Sequence, residues 1–122
     1  MIDVLIIGSG IAGLTAALNA SKNNARVLVV SKTYPTHSQS VQAQGGINAV
    51  LYEDEDSVVF HIEDTYKASC KLANKDNVKK MCLDAKEAIY WLDSIGVPFN
   101  RTSENKISQR KFGGTNKIRT CY

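Results

Sequence analysis

Apolar and polar positions set out three elements within the opening of the chain. Asp3 to Ile7 reads DVLII, a short apolar run rich in β-branched residues and closed by glycine. Such a run suits a parallel strand buried on both faces. Gly8-Ser9-Gly10 breaks it. From Ile11 to about Asn23 the residues are good helix formers with small apolar side chains, among them Ala12, Leu14, Ala16, Ala17, Leu18 and Ala20. Asn23-Asn24 is a helix stop, because asparagine tolerates the left-handed region. Arg26 to Val30, RVLVV, predicts a second buried strand. Strand, helix, strand in this order is a βαβ unit, with a right-handed crossover.

Beyond it the pattern changes. Lys32 to Gln44 is polar and predicts a long loop, and Ile47 to Leu51 a short strand. The acidic run Glu53-Asp54-Glu55-Asp56 precedes an apolar stripe at Val58, Val59, Ile62 and Tyr66. That order places carboxylates at a helix N-terminus, where the backbone dipole favours them. Val78, Met81, Cys82, Ala85, Ala88, Ile89 and Leu92 recur at helical spacing, with Asp76 or Asn77 as cap and Gly96 and Pro98 as stop. Met81 and Trp91 read as packing residues. Arg101 to Tyr122 is polar and basic, with Glu104 its one acid, and its 101–119 stretch reads as a solvated face. No further parallel core strand is predicted after Leu51. A doubly wound sheet needs more strands than this, so the sheet is incomplete and a fragment of a longer protein is expected.

Composition narrows the class. Hydrophobic residues make up 43% and charged residues 22% of the 122, the balance of a folded globular chain. A net charge of +3 is too small to argue for nucleic acid. No run reaches the ~18 apolar residues of a membrane span. The first residues enter a strand directly, with no secretory pattern, so a cytoplasmic location is expected. Cys70, Cys82 and Cys121 are odd in number and widely spaced, which fits neither a disulfide framework nor a zinc site.

The chemistry sits at the first turn. Gly8-Ser9-Gly10-Ile11-Ala12-Gly13 matches G-x-G-x-x-G in its required setting, after a strand and opening a helix. Gly8 permits the tight turn, Gly10 lets a pyrophosphate approach the backbone, and Gly13 lets helix and strand pack. The helix N-terminus offers free N–H groups to phosphates. An acidic residue normally follows the second strand to bind ribose hydroxyls. Ser31 and Lys32 stand there instead, which does not fit a simple NAD site.

Lys32 to Val50 reads KTYPTHSQSVQAQGGINAV. This stretch resembles the flavin-contacting loop of the succinate dehydrogenase and fumarate reductase flavoprotein family. His61-Ile62-Glu63-Asp64-Thr65, Gly96-Val97-Pro98-Phe99, Phe112-Gly113-Gly114 and Arg119-Thr120-Cys121-Tyr122 are similar to that family in the same order. The resemblance implies an α/β fold, the N-terminal part of a Rossmann-like FAD-binding domain: βαβ, a flavin-contacting loop and two helices. It implies FAD as cofactor, held by Gly8 to Gly13, by Ser31 and Lys32 (a pair common in the family), and by Ser38, Gln39, Ser40, Gln44, Gly45 and Gly46. The residues agree, since Gln44-Gly45-Gly46 can bring bare backbone N–H groups against a flat heterocycle. Phe112 and Gly113 would border the substrate cavity. No catalytic residue falls within this chain, and a direct catalytic role is not assigned to His61.

In membrane-bound members a loop histidine is joined covalently to the flavin. Gln39 holds that position here and cannot form the bond, so FAD is expected to be non-covalent, with fumarate reduction favoured over succinate oxidation. His37 lies nearby. The resemblance also implies a succinate or fumarate substrate, hydride transfer at flavin N5, and iron–sulfur and membrane-anchor partner subunits. Two alternatives stay open: L-aspartate oxidase, a relative that lacks the covalent histidine, and a non-catalytic dinucleotide-binding module.

Overall fold

The computed structural model describes residues 1–54 and 56–122; Glu55, part of the acidic run, lies outside the described residues. The chain forms two compact units, Met1–Gln44 and Gly45–Tyr122.

In the first unit, β1 (Val4–Ile7) and β2 (Val27–Val30) pair in parallel, from Val4 opposite Val27 to Ile7 opposite Val30. They are joined by α1 (Ile11–Lys22). The expected βαβ unit forms. Asn24 takes the left-handed turn after α1 at φ 61°. Arg26 donates to Asp3 Oδ2 from its backbone N–H and from Nε, each at 2.9 Å, which ties the starts of the two strands. The two-sided burial expected of these strands is not seen. Leu5, Ile7, Leu28 and Val30 stay exposed, Ile7 at 85%. Side chains alternate across a strand, and one helix covers one face of a two-stranded ribbon. The Lys32–Gln44 segment is more ordered than a loop. A 3₁₀ turn at Pro35–His37, opened by the fixed φ of proline, leads into α2 (Gln39–Gln42). The Ser38 carbonyl accepts from the N–H groups of Val41 and Gln42.

In the second unit, β3 (Ile47–Asn48), β5 (Thr120–Cys121) and β4 (Gln109–Arg110) form an antiparallel sheet in the order β3-β5-β4. The strand expected to reach Leu51 stops at Asn48, while Ala49, Val50 and Leu51 run on into the core. The 101–119 stretch expected as a solvated face supplies β4, and its Arg119 is buried, as are Thr120 and Cys121 of β5. Gln109 helps hold this buried segment: its Nε2 donates to the Ala49 carbonyl at 2.7 Å and, beside the Ala49 N–H, to the Arg119 carbonyl at 3.0 Å.

Two helices, α3 (Val58–Ala68) and α4 (Lys75–Ser94), complete this unit. Ser57 caps α3 by accepting from Phe60 N–H. No acid lies in the first turn of α3, but Asp56 of the acidic run stands just before the cap, where its Oδ1 accepts from the Ser57 N–H at 2.8 Å. The cap of α4 is Asn74, earlier than the expected Asp76 or Asn77, and its Oδ1 accepts from both of their N–H groups. The chain leaves α4 at Gly96, φ +96°. Val78, Cys82, Ile89 and Leu92 are the buried face of α4; Trp91 is half-buried, and Met81 is exposed rather than packed. Ile89 joins Ala49, Leu51, Ile107 and Cys121 in the core. The three cysteines are free thiols. Among the described residues no helix is long and apolar enough to cross a membrane.

Candidate cofactor site

In the first unit the turn from β1 to α1 carries the chemistry. Gly8 sits at φ +112°. A β-carbon on Gly13 would collide with the Gly8 carbonyl and lie 3.4 Å from Ile6 Cγ2, so glycine lets the helix start directly against the strand end. The Ile11 N–H donates to Ser40 Oγ at 3.0 Å. Among the described residues, no group accepts from the N–H of Gly10, Ala12 or Gly13. Open amides at the positive end of a helix dipole form an anion site, and no acid in the first turn of α1 competes for it.

Ser31 ends next to this turn. Its Oγ shares a 2.7 Å hydrogen bond with Oγ of buried Ser9. Lys32 is exposed beside it. Ser38 Oγ is buried and has no partner among the described residues, an orphaned group that a bound polar ligand would satisfy. Gln39 opens α2, exposed, as is Gln44. Thus Ser9, Ser31 and Ser40 gather at the glycine turn, while among the described residues Gln39 and Gln44 make no side-chain hydrogen bond to it.

In the second unit, Gly45 and Gly46 form a strip of bare backbone. Gly46 lies at φ +103°, where a β-carbon would collide with the Cys121 carbonyl. Among the described residues, no group accepts from either glycine N–H. The Gly45 carbonyl accepts from Arg110 Nη2 at 3.1 Å, and the Phe112 ring covers the space where a Gly45 side chain would go.

A buried charge cluster lies deeper in this unit, and sequence reasoning missed it. Arg119 donates from Nε and Nη2 to the two carboxylate oxygens of Asp56, at 2.7 and 2.8 Å, and from Nη1 to Asp64 at 2.9 Å. Burial pushes the Asp64 carboxyl up, but the hydrogen bonds from Asn116 and the Arg119 charge bring it below its usual 3.8. His61 is buried beside them, and among the described residues its Nδ1 has no partner. Burial first, then the Arg119 charge, hold its pKa below the usual 6.5. The only sequence signal for Arg119 was its place next to Thr120 and Cys121 in a family-like stretch. A cavity of about 600 Å³ opens beside the cluster, walled by Met81 and Ala85 of α4 and bordered by His61, Asp64, Gly46 and Gly113. Phe112 is not among its described walls.

Residues 3–122 match the model of the FAD binding domain family. The chain belongs to that family. Within it, the sequence is 47% identical to the 8-methylmenaquinol:fumarate reductase flavoprotein subunit of Wolinella succinogenes, over 98% of this chain and 20% of the relative. It is 45% identical to the succinate dehydrogenase flavoprotein subunit of Coxiella burnetii, over 92% of this chain and 19% of the relative. Among solved structures, a point variant of the E. coli quinol fumarate reductase FrdA superposes with a TM-score of 0.92 at 34% identity, over 99% of this chain and 21% of that one. Mycobacterium smegmatis Sdh1 superposes at 0.91, also at 34% identity, over 99% and 20%. The chain spans about a fifth of the length of these relatives. FAD suits the donors of the first unit, whose open amides fit a diphosphate.

Proposed function

We propose that the full-length polypeptide is an FAD-dependent oxidoreductase that interconverts succinate and fumarate, and that residues 1–122 are the N-terminal portion of its FAD-binding domain. The observation that carries this is the set of unpaired amides on the glycine turn of a parallel βαβ unit, in a chain 47% identical to a fumarate reductase flavoprotein subunit. In this reading Gly8, Ser9, Gly10, Ile11, Ala12 and Gly13 hold the pyrophosphate, and Ser31 and Lys32 the ribose. Ser38, Gln39, Ser40, Gln44, Gly45 and Gly46 line the flavin. Phe112 and Gly113 border the dicarboxylate. Bound FAD supplies hydride chemistry at its ring nitrogen N5, and the protein positions and polarises the substrate.

The flavin is held without a covalent bond, because the Gln39 side chain is an amide. The partners are an iron–sulfur subunit and a membrane anchor, with the flavoprotein in the cytoplasm or on the cytoplasmic face of the membrane. The test uses the full-length protein. FAD should stay in the supernatant after acid precipitation, and a reduced dye should drive fumarate reduction. Flavin retained on the precipitate at His37 would falsify the non-covalent reading. Gln39 also favours a second reading, L-aspartate oxidase, which predicts turnover of aspartate with oxygen and none of fumarate with reduced dye.

A further inference from the structure

Among the described residues, Arg110 is the cation set against two aromatic rings. It closes β4, and its guanidinium carbon lies 4.4 Å from the centre of the Tyr122 ring and 5.2 Å from that of Phe112. Its Nη2 donates to the Gly45 carbonyl at 3.1 Å. Among the described residues no carboxylate pairs with it, and its Nε is buried without an acceptor. The Phe112 ring in turn rests on Gly45: a β-carbon there would lie 3.0 Å from Phe112 Cε1. One planar fork therefore contacts two rings and a glycine carbonyl, and the same glycine seats one of those rings.

An ion pair would be the ordinary way to settle a half-buried arginine. This one is held by aromatic faces and a backbone oxygen instead. Lysine could supply the charge but not the flat fork, which stacks by its face and donates from its edge.

We infer that Arg110 is a positioning residue that fixes the Gly45 backbone and the Phe112 ring at one spacing. The inference rests on the proposed function, in which Gly45 lies along the flavin and Phe112 borders the substrate. Arg110 then acts through both, setting the gap between cofactor and dicarboxylate without touching either.

The test is a double-mutant cycle in the full-length protein loaded with FAD, using Arg110→Met, Phe112→Leu and the pair, with Arg110→Lys as the conservative variant. Arg110→Met should raise the KM for fumarate about tenfold with kcat changed less than about threefold, and Arg110→Lys should not rescue it. The pair should match Phe112→Leu alone. The visible absorption band of the bound flavin should shift in both Arg110 variants, a readout that does not depend on turnover. If Arg110→Met does not accumulate as folded protein, the same cycle run with Arg110→Lys decides. Additive effects, full rescue by lysine, or an unchanged flavin band in an active protein would overturn the inference while leaving the proposed function standing. A wild-type protein that binds no FAD would overturn both.

Discussion

The Gly8 carbonyl occupies the space that a β-carbon on Gly13 would need. This single contact sets how closely α1 approaches the end of β1, and so where the open amides point. Gly13→Ala should cost at least about 1–3 kcal/mol through overpacking against backbone, which cannot swing aside as a side chain would. FAD affinity should fall with it. Gly113 meets nothing within 4 Å at the same test, so Gly113→Ala should stay within about 0.5 kcal/mol. Denaturant titration of the two full-length variants compares them; equal stability would refute the packing argument.

Arg119 holds two carboxylates with no exposed edge of its own. Asp56→Asn leaves that guanidinium buried and partly unpaired, and should cost about 3–5 kcal/mol. The denaturation midpoint of the full-length protein reads this. A loss under about 1 kcal/mol would mean that solvent reaches Arg119.

Acidification should act through two groups in turn. The folded state holds His61 below its usual 6.5, so as pH falls through about 6.5 the unfolded chain gains a proton that the folded chain resists, and stability drops. The group facing it across the cluster that opposes protonation is Arg119, while Asp56 and Asp64 favour it less strongly. Asp64 lies below its usual 3.8, so its contribution is complete above about pH 4 and is lost at lower pH. Midpoints measured from about pH 8 to 3 should show both declines. His61→Gln should remove the upper one and leave the lower.

The open face of the first unit carries Leu5, Ile7, Leu28 and Val30 side by side on two paired strands. The 122-residue chain should self-associate through this face, and Ile7→Lys with Val30→Lys should reduce the association. Sedimentation at several concentrations measures it. Monomers at every concentration would show that the face is tolerated in water.

Much of the fold was legible where pattern and local chemistry agree. DVLII and RVLVV gave two parallel strands, the glycines gave the turn, and the α4 stripe gave a helix within a few residues of its bounds. What escaped depends on partners far along the chain. Arg119 looks solvated until Asp56 and Asp64 are placed around it, and β4 and β5 are too short and too polar to show a period. Arg110 gave no signal either, because its role needs Gly45 and Tyr122 brought together. At the glycine turn the motif located the open amides, but not the Ser40 hydroxyl that takes one of them.

Asp56 and Asp64 precede Arg119 by 63 and 55 positions. At roughly 5–20 residues per second, the ribosome makes the carboxylates about 3–13 s before the guanidinium that joins them. During that interval Asp56 and Asp64 have no Arg119 to pair with. The cluster is thus a latch closed by the residue just before β5, and a nascent chain stalled before position 119 lacks the guanidinium that pairs Asp56 and Asp64.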